Sequence, residues 1–238
     1  MTTLRFQRAL ITGASRGLGR SLALLLASHG LEVILVARNA AALEEVVAEV
    51  EAAGGRAVAL VGDVGEPDPS GLSARALEHG PIDLLIHNAS TLGPLPMPPL
   101  AELDDGSLSE VFEVNVLGPQ RLTRALLGSM RSQPEAAIVS ISSDAAVEAY
   151  PGWGAYGASK AALDHVMRVL AAELDDTNIR VIAVDPGEMD TKMHADALPD
   201  ADPTTLSDPH DVAEQLLSLL VEPAGPARRG SVTRRVPA

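Results

Sequence analysis

Ala9-Leu10-Ile11-Thr12-Gly13-Ala14-Ser15-Arg16-Gly17-Leu18-Gly19 decides the fold. An apolar run enters a glycine turn, and a helical pattern from Leu18 to Ser28 leaves it. Glycines allow a tight turn and let backbone N–H groups approach a pyrophosphate. The start of the following helix adds partial positive charge. The spacing is G-x-x-x-G-x-G, neither G-x-G-x-x-G nor a P-loop, since no G-K-[ST] follows. An ordinary strand–helix turn uses glycines too, but the position on the first strand favours a nucleotide cradle. Gly13, Ser15, Arg16, Gly17, Leu18 and Gly19 are therefore predicted cofactor contacts.

The same alternation continues along the chain. Strand-like runs are predicted at Glu32 to Ala37, Arg56 to Val61, Ile82 to His87, Ala136 to Ser142 and Ile179 to Val184, with a short final strand within Ser231 to Val236. Helical patterns fall at Ala40 to Ala53, Ser70 to Glu78, Leu108 to Met130, Ala155 to Leu174 and Pro209 to Leu220. Several strands are unbroken aliphatic runs, the mark of strands covered on both faces. Alternating strands and helices predict an α/β fold: one Rossmann-like, doubly wound domain over residues 1–238, with a mostly parallel seven-stranded sheet. The Pro-rich stretch Gly93 to Leu100 is predicted to be a loop rim.

Composition narrows the function. The net charge of −14 repels phosphate backbones and argues against nucleic acid as a partner. There is no cysteine, which removes disulfide and thiolate chemistry and fits a cytoplasmic protein. Met1 to Arg8 lacks a signal-peptide core, and no apolar stretch is long enough to predict a membrane span. No metal site is expected. With aromatics at only 2%, the core must be built from Ala, Leu, Val and Ile.

The end of the second strand separates the nicotinamide cofactors. NAD binders of this architecture place Asp or Glu there, for the ribose hydroxyls. Here the position holds Ala37, followed by Arg38. Arg38 can pair with a 2′-phosphate, with Arg16 as a second cation. NADP(H) is the expected cofactor, in preference to NAD(H).

Tyr156-Gly157-Ala158-Ser159-Lys160 opens a helix, where residues four apart share a face. An ammonium at Lys160 is expected to lower the phenol pKa of Tyr156 and fit it for proton exchange with an alcohol or carbonyl. Ser142-Ser143 ends the preceding strand, at the sheet edge where α/β proteins bind ligands. Tyr150 has Gly154 at the equivalent spacing and so lacks a cationic partner.

These features together, from Leu10 to about Leu220, resemble the single-domain branch of the short-chain dehydrogenase/reductase family. The resemblance rests on Thr12 to Gly19, Asp63-Val64, Asn88-Ala89, Asn115, Ser143, Tyr156, Lys160, Pro186-Gly187 and Thr191. It implies that Asp63 and Val64 border the adenine and that the backbone at Asn88-Ala89 lines the cofactor cleft. Ser143 would hold the substrate oxygen, Tyr156 would transfer its proton, and Lys160 would also hold the nicotinamide ribose. Asn115 would kink its helix and hold a water linking Lys160 to solvent. Pro186, Gly187 and Thr191 would contact the nicotinamide end. A segment of about residues 188–208 would fold over the substrate; its six acids suit either a lid that disfavours anions or a solvated acidic loop. A homodimer through the two long helices is implied, with a tetramer also open.

The chain departs from the family at His87-Asn88-Ala89-Ser90, where Asn-Asn-Ala-Gly is usual, and at its C-terminus, which lacks the familiar glycine-rich end. His87 reads as a packed strand-end residue. Trp153 either flanks the substrate or packs at the cleft rim. Three functions fit: an NADP(H)-dependent oxidoreductase moving hydride between nicotinamide and a carbonyl or secondary alcohol, an NADP(H)-binding sensor or scaffold without turnover, and a non-redox dehydratase or epimerase. The intact Asn115, Ser143, Tyr156 and Lys160 set favours the first.

Overall fold

Six parallel strands carry the chain back and forth: β1 (Arg8–Thr12), β2 (Glu32–Ala37), β3 (Arg56–Val61), β4 (Leu84–His87), β5 (Ala136–Ile141) and β6 (Ile179–Asp185). A two-residue β7 (Arg234–Arg235) pairs with β6 and completes the order β3-β2-β1-β4-β5-β6-β7. The computed structural model describes residues 4–66, 70–221 and 234–235. The remainder of the final strand expected within Ser231 to Val236 lies outside them.

Helices α1 (Gly17–Ser28), α2 (Ala40–Ala52) and α8 (Pro209–Val221) pack on one sheet face through Leu22, Leu26, Leu43, Val46, Val212 and Leu216. The other face is covered by α3 (Ser70–Glu78), α5 (Gly118–Arg131) and α6 (Gly154–Glu173), through Ala76, Leu122, Leu126, Leu163 and Met167. All six residues of β5 are consequently buried, which is why the strand reads as an apolar run with no polar alternation. Each fully buried Leu or Ile contributes about 1.5–3 kcal/mol relative to exposure. The strand order reverses between β1 and β4, and such sheets bind ligands in a crevice at that point, outside the carboxyl ends of the strands.

Three expected boundaries need correction. The single helix over Leu108 to Met130 is α4 (Asp105–Phe112), a π-helical turn (Glu113–Leu117) and then α5. Pro119 lacks the N–H that would bond the Asn115 carbonyl, so a regular α-helix cannot run through this point. β4 begins at Leu84 and not at Ile82. Asp83 turns its carboxylate to the N–H groups of Gln7 and Arg8, at 2.7 and 2.9 Å, and Ile82 N donates to Ser129 Oγ. The segment after β6 is also more than a loop. It contains α7 (Lys192–Ala197) and a 3₁₀ turn (Pro203–Thr205), and a bridge between Met189 and Ser207 ties its ends together. Thr191 caps α7 by accepting from His194 N at 3.2 Å. No helix among the described residues is long and apolar enough to cross a membrane.

Candidate active site

The floor of the crevice is made by fastening β1 to β4. Thr12 Oγ1 accepts from Asn88 N and Ala89 N, both at 3.0 Å, and donates to the Ile86 carbonyl at 3.3 Å. Asn88 Nδ2 returns bonds to the carbonyls of Thr12 and Gly13, at 2.9 and 3.1 Å. The glycine turn is thus held from below by the Asn88 side chain. Gly13 has φ +67°, and a Cβ there would stand 2.8 Å from Ala89 Cα, so only glycine fits. A Cβ on Gly19 would collide with the Gly13 carbonyl and Asn88 Nδ2. Gly19 therefore lies beneath the cleft and packs helix against turn. Gly13, Ser15, Arg16, Gly17 and Leu18 line the cleft itself, which encloses about 460 Å³.

At one end the cleft meets the tip of β2. Val36, Ala37 and Arg38 line it there, with Asp63 and Val64 opposite. Arg38 Nη1 is 3.6 Å from Asp63 Oδ2, and the Arg38 side chain is 73% exposed. Such an exposed pair contributes little to stability, which leaves the guanidinium available to a ligand phosphate. Asp63 is itself anchored, accepting from Gly65 N at 2.9 Å. A dinucleotide fits these residues: the cradle is one that side chains would fill, and a cation stands where a carboxylate would repel a 2′-phosphate.

Ser143, Tyr156 and Lys160 share the opposite wall. Ser143 follows β5 and caps a 3₁₀ turn (Asp144–Ala146), accepting from Ala145 N at 3.2 Å and donating to Asp144 Oδ1 at 3.1 Å. Tyr156 lies in the first turn of α6, and Lys160 follows one turn later. Both are buried. Lys160 Nζ donates to the Ile141 carbonyl at 2.8 Å. Burial pushes the Tyr156 phenol up to about 12; the hydroxyls of Ser143 and Ser90 pull it down, while the Asp144 and Asp185 carboxylates push it further up. This corrects the expectation of a lowered phenol pKa, because the cost of burying a phenolate, together with the two carboxylates, outweighs the two hydroxyls. Burial likewise draws the Lys160 ammonium down to about 8, against the field of Asp164.

Asn115 sits behind this wall, in the π-helical turn, with 1% exposure. Its Nδ2 donates to Ser159 Oγ and to the Thr91 carbonyl, both at 2.9 Å, and its Oδ1 accepts from Thr91 N at 2.8 Å and Ser90 Oγ at 3.1 Å. The residue therefore ties the loop after β4 to α6, directly behind Tyr156. Ser90, the departure from the usual glycine, is used in this tie and lines the cleft.

The third side of the cleft is formed by Pro186, Gly187 and Thr191 after β6, continuing into Met189, Met193 and Leu198. Trp153 lines the cleft and meets Tyr156 edge-on at 5.7 Å between ring centres. His87 is a packed strand-end residue. Its Nε2 is 2.7 Å from Thr123 Oγ1, and burial holds its pKa down at about 3. Tyr150 donates to Asp144 Oδ2 at 2.9 Å. Sequence reasoning missed Asp144 and Asp164. Asp164 had a readable signal, an acid four residues after Lys160 on a mostly apolar helix face; Asp144 is one of many acids, and only the fold places it at the cleft.

The chain is similar to known proteins along most of its length. The short chain dehydrogenase family pattern matches residues 7–202. A short chain dehydrogenase of Pseudocercospora fijiensis is 36% identical over 225 residues, 92% of this chain and 70% of that protein. The L-xylulose reductase of Caenorhabditis elegans is 37% identical over 197 residues, covering 82% of this chain and 77% of that protein. Among solved structures, a short chain dehydrogenase from Escherichia coli CFT073 complexed with NADPH superposes with a TM-score of 0.88 at 32% identity, covering 98% of this chain and 97% of that one. The chain belongs to the short-chain dehydrogenase/reductase family. It is an oxidoreductase of the class that interconverts CH–OH and C=O groups.

Proposed function

We propose that the protein is an NADP(H)-dependent carbonyl reductase and alcohol dehydrogenase in which Tyr156 is the general acid/base. The observation that carries this reading is the meeting of Ser143, Tyr156 and Lys160 on one wall of a cleft whose other end is a glycine cradle. Gly13, Ser15, Arg16, Gly17 and Leu18 hold the pyrophosphate side, with Gly19 supporting the turn from below. Arg38, with Arg16, takes the 2′-phosphate; Asp63 and Val64 flank the adenine. Asn88, Ala89, Pro186, Gly187 and Thr191 hold the nicotinamide half, and Lys160 its ribose. Solved relatives complexed with NADP or NADPH support NADP binding.

When bound, the reduced cofactor supplies a hydride to the carbonyl carbon. Ser143 Oγ orients the carbonyl oxygen. Tyr156, with its phenol near 12, is protonated at neutral pH and donates its proton as negative charge develops on that oxygen. This protonation state serves reduction directly. Oxidation requires the phenolate, which the Lys160 ammonium favours. Asn115 positions Ser90 and Ser159 around the tyrosine and, through its helix kink, offers a carbonyl to a water that reaches Lys160. The segment of residues 188–208 closes the substrate end. One domain carries all of these functions, in the cytoplasm, as a homodimer or tetramer built on the long helices.

The test is loss of reduced-nicotinamide absorbance with a panel of ketones and aldehydes, using Tyr156→Phe as control. Turnover that survives this substitution removes Tyr156 from the mechanism. Sedimentation as a monomer refutes the oligomer.

A further inference from the structure

One helical turn beyond Lys160, α6 buries a second charged side chain. Asp164 is 4% exposed, and Ser142, directly after β5, is 2% exposed. Ser142 Oγ donates to Asp164 Oδ2 at 2.8 Å. The preceding residue, Ile141, accepts from Lys160 Nζ, also at 2.8 Å. Two consecutive residues at the end of one strand thus hold two side chains of opposite charge from successive turns of one helix.

We propose that Asp164 is a positioning residue, fixed by Ser142 as the buried counter-charge that keeps Lys160 an ammonium at the cleft wall. Buried charges persist when paired, and a backbone carbonyl alone supplies a dipole and no charge. An aspartate this deep is poorly screened by solvent, so its field reaches a neighbour one turn away. The other ionisable groups around Lys160 have different tasks. Asp144, after β5, and Asp185, at the end of β6, act on Tyr156. His87 on β4 is held neutral. Glu113 in the π-helical turn pairs with Arg121, and Arg168 on α6 donates to the Asp164 backbone carbonyl. Asp164 is the carboxylate that opposes the effect of burial on Lys160. Its share in catalysis rests on the role proposed above for Lys160, but its effect on the charge of Lys160 does not.

The sequence makes a direct test possible, because Lys160 and Lys192 are its only lysines. In protein labelled with carbon-13 at lysine Cε, NMR titration should give two signals, assigned by Lys192→Arg. Lys160 should titrate near pH 8 in the wild type. Asp164→Asn keeps the size and the acceptor for Ser142 but removes the charge. It should lower the Lys160 midpoint by about half a unit or more, roughly a threefold change in acid constant. Ser142→Ala should move it the same way by less. An unmoved midpoint in folded Asp164→Asn overturns the proposal; if that variant does not fold, an unmoved midpoint in Ser142→Ala does so. The high-pH limb of kcat/KM should follow the NMR shift, whereas a structural role alone would lower the rate with the limb in place. A shifted midpoint in a protein that reduces no carbonyl would sink the functional reading and leave this one standing.

Discussion

Lys160 Nζ stands 5.5 Å from the centre of the Tyr156 ring, and both side chains are buried in the wall of the cleft. Burial moves their acidities in opposite directions, the phenol to about 12 and the ammonium to about 8. Both groups are protonated at neutral pH. Because the Lys160 value is depressed, its charge is present below pH 8 and lost above it. Carbonyl reduction should therefore show a kcat/KM that is level near neutrality and falls above about pH 8. Lys160→Met should lower the rate and abolish that limb; a limb that stays belongs to another group.

Tyr156→Phe removes the hydroxyl and keeps the ring that packs edge-on against Trp153. We expect kcat to fall by about 10²–10⁴, the usual share of general acid catalysis, with NADPH affinity unchanged. Parallel measurement of turnover and NADPH binding separates a lost proton donor from a damaged cleft.

Arg38 is exposed and weakly paired, so its removal should leave stability alone and change cofactor choice. Losing a charge-assisted contact to the 2′-phosphate amounts to about 1.5–3 kcal/mol, or roughly 10- to 100-fold in NADPH affinity. NADH, which has no such phosphate, should bind Arg38→Ala as it binds the wild type. An equal loss for both cofactors would place the phosphate elsewhere.

Two glycine-to-alanine variants should behave in opposite ways. A methyl on Gly19 meets the Gly13 carbonyl and Asn88 Nδ2, whereas one on Gly128 meets nothing within 4 Å. Gly19→Ala should cost about 1–3 kcal/mol by overpacking and weaken cofactor binding. Gly128→Ala, inside α5, should stabilise by up to about 1 kcal/mol through helix propensity. Urea unfolding measures both.

His87 ties stability to pH. Its value falls from 6.5 to about 3 on burial, so between these limits the unfolded chain binds a proton that the folded one refuses. The stability is present above pH 6.5 and is lost as pH falls through this window, at no more than about 1.4 kcal/mol per pH unit from this residue. In urea titrations at falling pH, His87→Asn should show a shallower decline than the wild type. Equal slopes would remove His87 as the cause.

Much of this molecule was legible before folding. β2, α2, β3, β6 and α8 fall close to where the patterns placed them, because period and β-branching report local geometry. The glycine turn and the four-residue spacing of Tyr156 and Lys160 are local as well. The break at Asn115 was implied by the family resemblance and not by the helical pattern, because the π-helical turn depends on bonds to Thr91 and Ser159, far along the chain. The helix in the segment after Pro186 was not legible, because six residues make too few turns to show a period.

The sequence alone determined the order of the strands along the chain, the parallel sheet they form, and the residue types gathered at its edge, since each shows in the pattern along the chain. Tertiary structure alone decided the chemistry of those residues. Tyr156 is made a weaker acid and Lys160 a stronger one by atoms from β5, β6 and the loops after them. Asp164 reaches Ser142 across 22 residues of sequence. Desolvation and charge pairing depend on distance in space, and only the packed sheet and helices set those distances.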